Sequence, residues 1–263
     1  MRGFKRHLVI PDTQIHKDTP VHFLTAIARY IADRNDPIDH LHLTGDWYDM
    51  PSLNSWNKKG SLETEGKRLQ DDRDAGYAAL ELFFSELMAL GVSIDSVAVT
   101  EGNHEQRLDR MLAEDPRMIG LIDRESFYGW EDFGIDAHPM CKPYYRDGLT
   151  YCHFFDLNAN GATTGSRAGQ PNAHTQVRRV QGSSIAGHKQ GYDCAVLTHP
   201  YSPHWCRETF AVIAGSCYLH NEGYRGPTDG YERRGIVLIN EINGLGMGVP
   251  MFVSLSYLME KYG

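Results

Sequence analysis

Short apolar runs alternate with stretches of helical periodicity in the first hundred residues, and each run stops at Pro, Gly or Asp. A Val/Ile/Leu run of strand length bounded by turn residues reads as a buried strand. Residues 7–10 are the first such run, ended by Pro11. Residues 19–33 carry Phe23, Leu24, Ile27, Tyr30 and Ile31 on one helical face, with Thr19-Pro20 as a start signal. Residues 38–43 form the second strand, and strand–helix–strand spacing predicts a parallel pair. A long amphipathic helix is expected over 62–90, closed by Gly91, and a third strand over 96–100. Residues 116–143 mix Pro, Gly and aromatics and read as an irregular insert. Beyond them strands are expected at 149–155, 183–186, 194–198, 209–214, 235–239 and 251–255, with a helical turn near 175–180. The chain thus reads as one α/β domain over 1–263, with βαβ units in the first half and mostly strand in the second.

Polar chemistry collects where these strands end. The first delivers Asp12, the second Gly45-Asp46-Trp47-Tyr48-Asp49, and the third Gly102-Asn103-His104-Glu105. His153 falls in the second half of a later strand, and Gly187-His188 follows another. Carboxylate, amide and imidazole at the C-terminal ends of strands describe one rim of an open sheet, where ligands bind. Hard oxygen with borderline imidazole suits Mn²⁺, Fe or Zn²⁺ better than Mg²⁺ or Ca²⁺. Asp12, Asp46, Asn103, His153 and His188 exceed the needs of one tetrahedral ion and begin a two-metal site in which a carboxylate bridges. No G-x-S-x-G elbow and no G-x-x-x-x-G-K-[ST] phosphate loop occurs in the sequence.

Composition narrows the classes. The chain has 263 residues, 41% hydrophobic and 23% charged, with a net charge of -8. That balance is ordinary for a globular protein and argues against a sequence-independent grip on nucleic acid. Its five cysteines form no C-x-x-C pair and read as reduced thiols of a cytosolic protein. The basic start, Met1 to Arg6, precedes an apolar run too short for a signal peptide, and no stretch reaches membrane-spanning length.

Asp12-x-Gln14, Gly45-Asp46-x-x-Asp49, Gly102-Asn103-His104-Glu105, His153 and Gly187-His188-x-Gln190, in that order over nearly the whole chain, resemble the motifs of calcineurin-like metallophosphoesterases. Pro11-Asp12-Thr13-Gln14 and Trp56-Asn57-Lys58 are similar in texture to phage and prophage versions. The resemblance implies a four-layer α-β-β-α sandwich and two divalent ions, Mn²⁺ foremost, with Mg²⁺, Zn²⁺ or Fe as alternatives. Asp46 would bridge the ions, Asp12 would hold the first, and Asn103, His153 and His188 the second. A metal-bridging hydroxide would attack phosphorus in line. His104, a histidine that binds no metal, would stabilise the transition state or protonate the leaving oxygen, and Asp49 would hydrogen-bond it. Two positions depart from the family pattern. Gln14 and Gln190 stand where histidine is usual, both toward the first metal, which predicts a weaker, harder site there. His16 is a possible substitute.

The expected substrate is a phosphorylated small molecule, a nucleotide or a nucleic-acid end, in the cytoplasm (of the host, if phage-encoded). Arg107 is expected to reach a phosphate oxygen, and Glu105 to stabilise its helix or orient the ligands. Arg167, Arg178, Arg179 and Lys189 would meet distal phosphates or form a solvated face. The 158–169 stretch reads as a lid or a surface loop, and the Trp56 loop as packing or a base-stacking platform. His40, His42, His199, His204 and His220 are read as structural. Two alternatives stay open: a weakly active or inactive relative that binds metal and phosphate, and an interaction protein with a vestigial site.

Overall fold

The computed structural model describes residues 3–54, 62–157, 172–199, 208–221 and 233–263. Two mixed sheets pack face to face. The first runs β11-β10-β1-β2-β3-β4 and the second β5-β6-β7-β9-β8. In the first, β1 (Lys5–Ile10), β2 (His40–Leu43), β3 (Val97–Thr100) and β4 (Ile135–His138) are parallel, while β10 (Gly235–Ile242) and β11 (Val249–Ser254) run antiparallel beyond β1. In the second, β6 (Leu149–Cys152), β7 (Ser184–Ala186) and β9 (Glu208–Ile213) are parallel. There β5 (Tyr144–Arg146) and β8 (Asp193–Thr198) are antiparallel edges.

Strand alternation decides which face each side chain occupies. Leu8, Ile10, Leu41, Leu43, Val99, Ile236 and Leu238 point to one face of the first sheet. They pack there against α1 (His22–Arg34), α2 (Leu69–Ala89) and α5 (Leu255–Tyr262). Val9, Val237 and Ile239 point to the other face and meet Leu149, Tyr151, Ile185, Phe210 and Val212 of the second sheet. The second sheet covers its own outer face with α4 (Ala173–Val180), through Ala173 and Val177 on Ala211 and Ile213. The layers therefore run helices, sheet, sheet, helix. Among the described residues no helix is long and apolar enough to cross a membrane.

Several elements differ from the sequence reading. The expected long helix is shorter: a 3-10 turn at Leu62–Thr64 precedes α2, and extended Arg68 separates the two. Asp71 and Asp72 then lie in the first turn of α2, where the helix dipole favours acids. The expected irregular insert contains β4, a whole edge strand of the first sheet. Its sequence, IDAH, buries only Ile135 fully and so carries no apolar run. α5 was not expected. Ser254 caps it, its Oγ accepting from the Tyr257 N–H at 3.3 Å. The 158–169 stretch, the Trp56 loop, Arg167 and His204 lie outside the described residues.

Part of the seam between the sheets is built of histidine and tyrosine. On β2, His40 and His42 alternate with Leu41 and Leu43 and face the second sheet, joined by His7 from β1. His42 stacks on Tyr151 with centroids 4.1 Å apart, and His40 stacks on Tyr144. His7 Nδ1 lies 2.6 Å from the Tyr151 hydroxyl, and His42 Nε2 lies 3.1 Å from Thr100 Oγ1. Burial dominates all three imidazoles, pushing His7 down to about 4, His40 to about 3 and His42 well below its ordinary value. All three, His7 beside the expected structural pair His40 and His42, pack in the seam and are uncharged at neutral pH.

Unfolded histidines titrate near 6.5, so below that pH the unfolded chain binds more protons than the folded one. The stability these three contribute is complete above about pH 6.5 and drains as pH falls toward their folded values, by up to about 1.4 kcal/mol per pH unit for each. Glu105, raised to about 7 by burial and by Asp46 and Glu101, works in the opposite direction. The check is therefore comparative: urea denaturation between about pH 7 and 5 of the protein beside His42→Gln. The variant's profile should be shallower, and parallel profiles would refute the assignment.

Candidate metal centre

Five strand ends build the site. Asp12 and Gln14 follow β1, Asp46 follows β2, Asn103 and His104 follow β3, His153 follows β6 directly, and His188 follows β7. Gln14, Asp46 and His188 all have positive φ, at 47°, 49° and 65°. Non-glycine residues adopt this conformation at a cost, so these turns are strained. Gly102 and Gly187 are glycines because the ligands come too close for anything larger. A Cβ on Gly187 would sit 2.6 Å from Asp12 Oδ1, and one on Gly102 would collide with the Asp46 carboxylate.

One buried carboxylate ties the turns together. Glu105 Oε2 accepts from the Gly102 N–H at 2.7 Å and the Asp46 N–H at 2.9 Å, while Oε1 accepts from the Tyr48 N–H at 3.1 Å. The Asp46 carboxylate in turn accepts from the His104 N–H at 3.0 Å. Glu105 thus joins the β2 and β3 loops through three backbone donors that have no helix or strand partner.

Four potential ligand atoms converge. Asp46, His153 and His188 offer ligand atoms all within 4.8 Å of one another, a cluster that could hold a metal ion. His153 Nδ1 donates to the Thr44 carbonyl at 2.6 Å, which leaves its Nε2 a lone pair. That Nε2 lies 3.6 Å from Asp46 Oδ2 and 3.3 Å from Asn103 Oδ1. His188 Nδ1 completes the group at 2.8 Å from Asn103 Oδ1 and 3.3 Å from His153 Nε2. Burial pushes both imidazoles down, His188 to about 4 with His153 adding to it, so both are neutral at neutral pH. Burial, the largest single influence, would raise Asp46, but His104, His153 and His188 together outweigh it and hold Asp46 at about 2. Neutral imidazoles around an anionic carboxylate are the protonation states a divalent ion requires.

Beside this group lie oxygens with nothing to satisfy them. Asp12 Oδ2 and Gln14 Oε1 are buried without a hydrogen-bond partner. Burial and the Asp46 carboxylate push Asp12 well above the usual carboxylate range. Buried acceptors without donors, next to a second carboxylate, fit a cation. Gln190 differs from Gln14, because its Oε1 accepts from the Tyr218 hydroxyl at 3.0 Å. His16 stays outside the cluster and packs edge-on to His220, with ring centroids 5.4 Å apart.

His104 coordinates nothing in this arrangement. Its Nδ1 lies 2.9 Å from Asp49 Oδ1 and its Nε2 lies 3.8 Å from Asp46 Oδ2. Burial lowers it, but Asp46 and Asp49 outweigh burial and hold its pKa above the ordinary value. Arg107 turns inward instead of toward open solvent: Nη1 donates to the Asp49 carbonyl at 2.6 Å and the Met50 carbonyl at 3.2 Å. Arg179 donates to the Leu157 carbonyl at 2.6 Å, and Lys189 is exposed.

Sequence reading overlooked three partners. Thr44 orients His153 through its backbone carbonyl, which no side-chain pattern signals. Phe154 packs edge-on to His188 at 5.2 Å, and Tyr218 engages Gln190. No family model and no curated protein matches the chain.

Removing the Glu105 carboxylate leaves buried N–H groups unpaired, at roughly 1–3 kcal/mol each. Glu105→Ala should therefore lower stability in urea denaturation by at least that much, and Glu105→Gln by less. A variant of unchanged midpoint would show that the two loops hold without the brace.

Proposed function

We propose that the protein is a metal-dependent phosphoesterase of the calcineurin-like type, acting on a phosphomonoester or phosphodiester. The observation that carries this reading is the convergence of Asp46, Asn103, His153 and His188 beside the unpartnered oxygens of Asp12 and Gln14, with His104 facing the same space as a non-ligand. His153, His188, Asn103 and Asp46 would hold one ion, and Asp12, Gln14 and the shared Asp46 another. Such ions, when bound, supply an activated water and neutralise charge on the phosphoryl oxygens. Imidazole with oxygen donors, and a first site without imidazole, favour Mn²⁺, with Mg²⁺, Zn²⁺ and Fe as the other occupants to test.

The chain's own groups do the rest. Asp46 stays ionised and spans the two donor sets. Asp49 keeps His104 oriented and its protonated form favoured, so that Nε2 can supply a proton to the leaving oxygen. Thr44 and Glu105 hold ligand geometry through backbone contacts. Nucleotides or nucleic-acid ends are the substrate class proposed, and the acidic net charge disfavours long duplexes.

A second reading has its own support. Gln190 Oε1 is engaged by Tyr218, so the first ion's donor set is short by one group. On that reading the protein binds one ion and phosphate without turnover.

Hydrolysis of bis(p-nitrophenyl) phosphate and p-nitrophenyl phosphate in Mn²⁺, Mg²⁺, Zn²⁺ or EDTA separates the two. Turnover should require metal, be abolished by EDTA, and fall to background in Asp46→Ala. Calorimetric titration with Mn²⁺ should find two ions. One tight ion with no turnover in any metal selects the second reading.

A further inference from the structure

A cavity of about 480 Å³ lies between α1, α5 and β11, the edge strand of the first sheet. Small-molecule sites are of this size. It shares no residue with the candidate ligands or with α3 (Gln106–Glu114), the helix that follows Asn103 and His104. Tyr30, Asp33 and Arg34 reach it from α1, Tyr257, Lys261 and Tyr262 from α5, and residues 251–254 from β11. The spacings 30, 33, 34 and 257, 261 put each set on one helical face. Asp36, just past α1, ties Arg34 Nη2 at 3.2 Å to Arg6 Nη1 at 3.4 Å. Arg6 opens β1 and Asp12 follows its other end, so Arg34 and the metal centre lie at opposite ends of that strand.

Two kinds of group meet in this cavity. The three tyrosine rings stand edge to face, with interplanar angles of 87°, 73° and 75°. Such packing leaves ring surface uncovered, and Tyr257 is 44% exposed. Cations lie beside the rings. Lys261 Nζ is 4.8 Å from the Tyr262 centroid and 6.0 Å from that of Tyr257, and the Arg34 guanidinium carbon is 5.7 Å from that of Tyr30. Both cations keep open donors. Lys261 Nζ donates to Asp33 at 3.3 Å and to the Tyr262 hydroxyl at 2.7 Å, two of its three hydrogens. The Lys261–Asp33 pair is half exposed, and pairs of that kind hold weakly. Arg34 donates to the Tyr30 hydroxyl and to Asp36, while its Nε is buried without a hydrogen-bond partner. Arg6, Arg34 and Lys261 outnumber Asp33 and Asp36, so the cluster is net positive in a chain of net charge -8.

Aromatic surface beside open donors and surplus positive charge selects a planar ring that carries an anion. A cationic ligand would meet net repulsion, and Asp33 is already engaged by Lys261 and Tyr262. A purely apolar ligand would strip water from two cations and replace none of it. We infer that this cavity binds a nucleoside phosphate, the base stacked on Tyr257 and the phosphate held by Arg34 and Lys261. A guanidinium suits phosphate oxygens, and stacking on tyrosine accepts any base. A free nucleotide and a nucleotide within a single strand present the same chemistry. The inference does not rest on the phosphoesterase reading.

The test is calorimetric titration in EDTA, with tyrosine-ring NMR to locate the site. EDTA keeps metal-held phosphate out of the measurement, and no turnover is needed. AMP should bind saturably, about tenfold or more tighter than adenosine or ribose 5-phosphate, and should shift the Tyr257 ring signals. Tyr257→Ala should weaken AMP roughly 5- to 150-fold, the loss of one base–aromatic stack, whereas Tyr257→Phe should retain it. Arg34→Gln should weaken AMP and leave adenosine unchanged. Chemical-shift dispersion reports that each variant is folded. A tetradeoxyadenylate that binds tighter than AMP assigns the cavity to a strand, and one that binds no tighter assigns it to free nucleotide; both uphold the inference. Absence of AMP binding overturns it. Ribose 5-phosphate or adenosine binding as tightly as AMP overturns it too, since the cavity would then read an anion or a ring alone. So does full AMP affinity in Tyr257→Ala and Arg34→Gln, which would place the nucleotide elsewhere.

Discussion

The site depends on one buried carboxylate that has no direct part in the proposed chemistry. Glu105 is fully buried, and it accepts from backbone N–H groups on both the β2 loop and the β3 loop. Its burial is costly enough to lift its pKa to about 7, with Asp46 and Glu101 adding to the rise. Those loops carry Asp46 and Asn103, two members of the candidate cluster. The strands stop short of both residues, and the bond from the His104 N–H to the Asp46 carboxylate is a further link between the two loops.

The sandwich makes this convergence possible. The candidate ligands come from both sheets, with Asp12, Asp46 and Asn103 from the first and His153 and His188 from the second. Parallel strands that begin far apart in sequence end on a common rim, and face-to-face packing brings the two rims together. The seam that sets this spacing is aliphatic at Val9 of β1 and under β10 but histidine and tyrosine under β2 and at His7. Flat rings stacked at close range hold the sheets apart by a fixed amount. His153 then reaches back to the Thr44 carbonyl, a hydrogen bond that crosses from one sheet to the other.

Charge completes the picture. Neutral imidazoles, an ionised Asp46 and a protonation-prone Asp12 make a site whose members repel or go unsatisfied alone. His104 and Arg107 carry the positive side, and both are tied to the Asp49 turn. Both of these cationic side chains are thus engaged in holding the Asp49 turn.

Much of this was legible in the chain. Asp12, Asp46, Asn103, His104 and His188 stand out because each follows a short apolar run, and His153 because it falls in the second half of one; strand periodicity with turn residues is local information. The parallel first half followed from strand–helix–strand spacing for the same reason. β4 was invisible because an edge strand exposed on one side needs no apolar run, and α5 because its start is one Ser Oγ cap after a strand. The direction of Arg107, the engagement of Gln190 by Tyr218 and the orientation of His153 by Thr44 were decided only by the tertiary structure. Each joins residues distant in sequence, and two of the three use backbone carbonyls that every residue possesses. Residue type and local pattern determined which groups could act. Long-range packing decided which of them face one another.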